Sequence, residues 1–265
     1  MRKDALTMVL ITSVAGIFGA FFRWLENINA FEPDTGLMLP FARTTVILAG
    51  FLVAAAVAFA VLAVVWTKRF ACEKTPEALL SHSIFPDLVC RLFGAVLIVL
   101  GVVLMFAAPE QRYPPIERVF AAACIFCGVS LMFIAVRPGD SNPTGRGAAL
   151  VPVLFGCVWL VTCYKNNAED PVVWSYLVEL LTVAVTVMAW YELAAYRYSR
   201  AKPAMALFFV QCAAFMNITT LADDRPAKMA VIFVMHAALM LMYEFVLVEN
   251  FTPRRHLKES KAEGE

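Results

Sequence analysis

Eight times along the chain the sequence turns apolar for long enough to cross a hydrocarbon layer. The stretches lie at about 5–22, 44–66, 88–108, 116–136, 148–164, 172–196, 203–222 and 227–248. A helix rises ~1.5 Å per residue, so ~20 apolar residues cover the ~30 Å core of a bilayer. The fifth stretch, Ala148 to Tyr164, is the shortest and holds Pro152. Losing it would give seven spans. Hydrophobic residues make up 61% of the 265 and charged ones 16%, against ~45–50% and ~25% in soluble domains. Lipid is therefore the expected solvent. Apolar runs leave no connection long enough for a soluble domain, so the expectation is an all-α bundle of eight transmembrane helices, forming a single integral membrane domain over 1–265.

Charge sets the expected orientation. With the N-terminus cytoplasmic, inner segments carry fourteen Lys and Arg and outer segments seven, with Arg91 inside the third span. That bias places both termini in the cytoplasm. It also argues for eight spans, because seven would put the basic tail, Arg254 to Lys261, outside. Met1-Arg2-Lys3-Asp4 imitates a signal peptide, but the run after it is long and ends at Arg23-Trp24, so it reads as a retained first span. Trp24, Trp66 and Trp174 fall at span ends, as interface anchors do.

The connections are short. Thr75-Pro76-Glu77 predicts a short interfacial helix within the inner segment 67–87. The segment Arg137 to Gly147 is built of turn formers and could join two four-span halves, although the halves show no convincing repeat. Small residues mark expected helix contacts: Ala15, Gly16 and Gly19; Gly50, Ala54 and Ala58; Gly94 and Gly101; and Gly128. Phe31-Glu32-Pro33-Asp34-Thr35-Gly36-Leu37, after the first span, reads as a turn. This segment resembles a pattern in uncharacterised bacterial multi-spanning membrane proteins. The resemblance implies a bacterial cytoplasmic membrane and brings no activity with it.

Function is sought in the polar residues inside the spans. Glu179 lies two turns into the sixth span, roughly 10 Å below the boundary, where an ionisable group costs on the order of 2.5–3.5 kcal/mol. Matching depths suggest three layers: Glu179 with Asn217, His236 with Gln211, and Arg91 with Glu244 or Glu192. The first four are candidates for ligand or proton binding. Their bland alternative is interhelical hydrogen bonding. Arg91, Glu244 and Glu192 are expected to form a structural ion pair or to snorkel. Met235, Met240, Met242, Trp190 and Tyr191 could line a pocket for an apolar or cationic ligand, or could simply pack.

Other chemistries find no footing. A net charge of +1 offers no basic face for nucleic acid. Cys124 and Cys127 have Cys-x-x-Cys spacing but lie among apolar residues without further ligands, so no metal or redox site is expected. The seven cysteines suggest no exported disulfide framework. With one intramembrane histidine, no deep lysine and no deep aspartate, bis-histidine haem, retinal and aspartyl-protease sites are excluded. Ser130 with His236, and Glu192 with Arg197, only partly match the serine and prenyl-protein protease patterns. No cofactor is indicated. The first functional expectation is a small-solute transporter or a membrane subunit of one. There Glu179 would be the proton or cation site, with Gln211, Asn217 and His236 along the path. The second is a non-transporting scaffold or sensor, partnered by another subunit or its own copy. A membrane enzyme comes third.

Overall fold

The computed structural model describes residues 2–32, 37–39, 42–72, 74–75, 79, 84–107, 113–136, 143–168 and 172–253. The turn at Pro33–Gly36, the helix start at Pro76-Glu77, the 137–142 connection and the basic tail from Arg254 lie outside the described residues. The helices are α1 Arg2–Asn29, α2 Arg43–Arg69, α3 Ile84–Ala107, α4 Pro114–Val136, α5 Pro143–Asn167, α6 Val173–Arg197, α7 Pro203–Thr219 and α8 Ala227–Glu249. Among the described residues these eight are long and apolar enough to cross a membrane. The fifth is a full helix of 25 residues that carries Pro152 inside it.

Local sequence explains where helices begin and stop. Proline opens α4, α5 and α7, where its missing N–H costs no hydrogen bond and its φ already suits the helix. Helix α6 ends at Ser199, whose φ is 53°. The Arg200 N–H then donates to the Ala195 carbonyl and the Ser199 N–H to the Tyr196 carbonyl, each at 3.0 Å. This left-handed turn satisfies the last carbonyls of the helix, a role glycine usually fills.

Helices α7 and α8 form the centre. Of their apolar windows 67% and 72% is buried, against 17% for α2. Around them, α7 touches α1, α2 and α6, while α8 touches α1 and α3; α3 pairs with α4, α4 with α5, and α5 with α6. Because α1 and α2 pack on α7, the two halves of the chain share one core and are not separate four-helix units. Large apolar side chains cover the outside, with Ile84 83% and Phe106 81% exposed, as expected where lipid is the solvent.

Ala5, Met8, Ala63, Leu207 and Val248 cluster together, and Phe70–Ala71 pairs antiparallel with Thr252–Pro253. The start of α1 and the ends of α2 and α8 therefore share one face, here termed proximal. That is the parity eight spans require.

Glycine sets the tightest contacts. A Cβ on Gly94 would lie 2.6 Å from the Gly128 carbonyl oxygen, and one on Gly101 would lie 2.8 Å from that of Ala121, so α3 and α4 meet backbone to backbone. Gly16 meets Ile218, and Gly19 meets Thr219, across the α1–α7 seam. The α2 stripe behaves otherwise. Gly50, Ala54 and Ala58 are exposed, and α2 buries Thr45, Leu48, Ala55, Phe59 and Ala63 instead.

Candidate functional site

At the face opposite the proximal one, a charged cluster ties α1, α6 and the α7–α8 connection together. Arg23, near the end of α1, is 1% exposed. Its NH1 donates to Glu26 Oε2 at 2.6 Å, its Nε to Asp223 Oδ1 at 2.6 Å and its NH2 to the Ser175 carbonyl at 2.7 Å. The Trp174 indole N–H donates to the other oxygen of Glu26. Arg225 folds inward from the connection. It donates to Asp223 and to Thr220 Oγ1, lies 4.3 Å above the Phe233 ring, and brings NH1 to 3.5 Å from Glu179 Oε1. Glu179 is thus not alone in oil: it has a guanidinium counter-ion on the element that follows α7. An unpaired carboxylate at that depth would cost far more than a paired one.

Asn217 is fully buried on α7. Its Nδ2 donates to Thr186 Oγ1 on α6 at 2.8 Å and to the Ala213 carbonyl at 2.7 Å. Among the described residues no hydrogen bond joins it to Glu179, so the pair expected from depth is bonded to different partners.

Gln211 and His236 also part. Gln211 Nε2 donates to Glu244 Oε1 at 2.9 Å, and Thr12 Oγ1 donates to the same oxygen at 2.8 Å. This triad joins α1, α7 and α8 with all three side chains fully buried. His236 stands elsewhere on α8. Its Nδ1 lies 2.8 Å from the Ile232 carbonyl, and since a carbonyl only accepts, that nitrogen carries the proton. Its ring stacks on Phe155 at 5.8 Å and 12°, with Trp159 at 5.2 Å and Trp190 edge-on at 6.3 Å. The aromatic walls are already filled by the imidazole.

The inner layer is paired differently from the expectation. Arg91 is half exposed and bonds Asp87, one turn away, at 2.8 Å. Glu244 belongs to the triad, and Glu192 is buried on α6. Cys124 and Cys127 are buried in α4. Among the described residues no group of three His, Cys, Asp or Glu could hold a metal.

No protein-family model, curated protein or solved structure matches the chain.

The described cavities lie away from these groups. One of about 720 Å³ opens between α1 and α3 over α8, lined by Leu6, Val9, Phe85, Phe93 and Phe245 among others. Another, of about 390 Å³, lies between α4 and α5 beside Ile116 and Cys157. Neither touches Glu179, His236, Gln211 or Asn217.

Four charged residues, Arg23, Glu26, Asp223 and Arg225, and three threonines, Thr12, Thr186 and Thr220, of these clusters escaped the sequence reading. Arg23 counted only as part of an interface pair, and Arg225 only as an outer charge. The i, i+3 spacing of Arg23 and Glu26 was a usable signal, because it lets the pair close on one helix face. Thr12 carries no signal: threonine in an apolar span usually bonds its own helix.

Proposed function

We propose that this multi-pass membrane protein is a non-transporting scaffold or sensor subunit, set in a bacterial cytoplasmic membrane with the proximal face inward. The observation that carries the reading is the pairing of its intramembrane polar groups. Glu179 is held by Arg225, Asn217 by Thr186, Gln211 by Glu244, and His236 by its own helix and an aromatic box. The first three bonds join different elements, the His236 bond stays within α8, and none of these groups lines the described cavities. Groups used this way specify which helix packs on which, where lipid leaves no hydrophobic drive to do so. The charge bias supports the orientation, and among the described residues Lys68, Arg69, Lys74, Arg146, Arg200 and Lys202 are exposed and offer a surface for a partner or a second copy.

Small-solute transport is the second reading. It is favoured by Glu244, a carboxyl group in the core with no cation bonded to it among the described residues. Proton flux separates the two. The chain is placed in liposomes holding a pH-sensitive dye, and a membrane potential is imposed. Flux equal to that of protein-free liposomes is expected, together with a stoichiometric partner or self-crosslink at the proximal face in native membranes. Faster flux that E244Q abolishes would overturn the scaffold reading.

A further inference from the structure

The triad of Thr12, Gln211 and Glu244 has an imbalance of donors and acceptors. Both donors point at a single oxygen, Glu244 Oε1. The other carboxyl oxygen, Oε2, and the amide oxygen of Gln211 are both buried and have no hydrogen-bond partner. Two acceptors are left without a donor in a core where each unsatisfied polar atom costs free energy. Turning the Gln211 amide over does not remove the imbalance, since it sets the amide oxygen against Glu244 Oε1, acceptor to acceptor, and that amide oxygen still lacks a donor.

Among the described residues the neighbours supply no charge to correct this. On α1 the facing group is Thr12, and on α7 it is Gln211. On α3, Arg91 closes on Asp87, and Cys90 bonds Tyr243 of α8 at 3.4 Å. A bare carboxylate here would stand against hydrocarbon with no counter-ion.

We propose that Glu244 and Gln211 hold a proton between them, forming a proton-binding site in the centre of the bundle. The proton adds to Glu244 Oε2 and is donated to the Gln211 amide oxygen, while the existing bond from Gln211 Nε2 to Glu244 Oε1 completes a two-bond acid–amide ring. One hydrogen thereby satisfies both idle oxygens and removes the buried charge. Thr12 fixes the carboxyl from the α1 side, so α1, α7 and α8 are all held by the protonated form. Loss of the proton would break one bond of the ring and leave a carboxylate facing an amide oxygen. The site is independent of the scaffold reading, because a bundle that moves nothing can still hold a proton.

Infrared difference spectroscopy on the protein in lipid nanodiscs tests this. The expected result is one protonated-carboxyl C=O band, sensitive to deuterium exchange, that E244Q deletes. Q211L should move the same band to higher frequency, since the acid loses its amide partner. If E244Q removes carboxylate absorption and leaves the protonated-carboxyl region unchanged, Glu244 is ionised and the proposal falls. Should E244Q fail to accumulate, Q211L decides alone, and an unshifted band overturns the proposal.

Discussion

Arg225 reaches 3.5 Å from Glu179 across the gap between the α7–α8 connection and α6. The two are unequal partners. Glu179 is 19% exposed and has one guanidinium, whereas Arg225 is 8% exposed and also serves Asp223, Thr220 and the Phe233 ring. R225A therefore strands Glu179 and takes from Asp223 one of its two guanidiniums, Arg23 remaining, and should cost on the order of 3–5 kcal/mol. E179Q removes one charge of a long pair and should cost about 1 kcal/mol, nearer the exposed-pair range. Reversible unfolding in mixed micelles checks this, and the double variant should fall short of the sum because the pair is coupled.

How much of this could be read beforehand differs between fold and site. Span number and parity were legible because a bilayer imposes length on every crossing helix, and even the Pro152 helix obeyed. The face a polar residue takes was not legible, and neither was the layer it joins. Gln211 was expected beside His236, yet it bonds Glu244, more than two turns further along α8, while His236 faces Phe155 and Trp159. The Gly50–Ala54–Ala58 stripe failed for the same reason: four-residue spacing marks a face without saying what that face meets. Arg225 was illegible because a connection's side chain can fold inward, which no hydropathy window records.

Gly94 and Gly128 allow α3 and α4 to touch backbone to backbone. Alanine at either site would push a methyl group to within 2.6 Å of a carbonyl oxygen at Gly94, or 2.5 Å at Gly128. The helices must then separate, at a cost of about 1–3 kcal/mol per site. Unfolding curves of G94A and G128A should show that loss. G50A should be neutral, since nothing lies within 4 Å of a Cβ there.

Asn217 and Thr186 form one interhelical bond at 2.8 Å. Such bonds inside membranes average about 0.6 kcal/mol and reach at most about 1.7. N217L should therefore lower stability only modestly, with a coupling to T186V of that size in a double-mutant cycle. A coupling near zero would show that the bond does not form.

His236 fills its box as a flat ring more than as a charge. Its plane lies 12° from that of Phe155 at 5.8 Å, and Nδ1 bonds within its own helix. H236F keeps a flat ring between the same walls and loses only a bond to a carbonyl already used by the helix. It should cost less than about 1.5 kcal/mol, as volume-conserving swaps do. H236A opens a cavity against Phe155, Trp159 and Trp190 and should cost about 2–5 kcal/mol. A proton path through the imidazole would reverse the pattern of function, with H236F as damaging as H236A. Measuring stability and proton flux for both variants in the same liposomes separates a ring that packs from a ring that titrates.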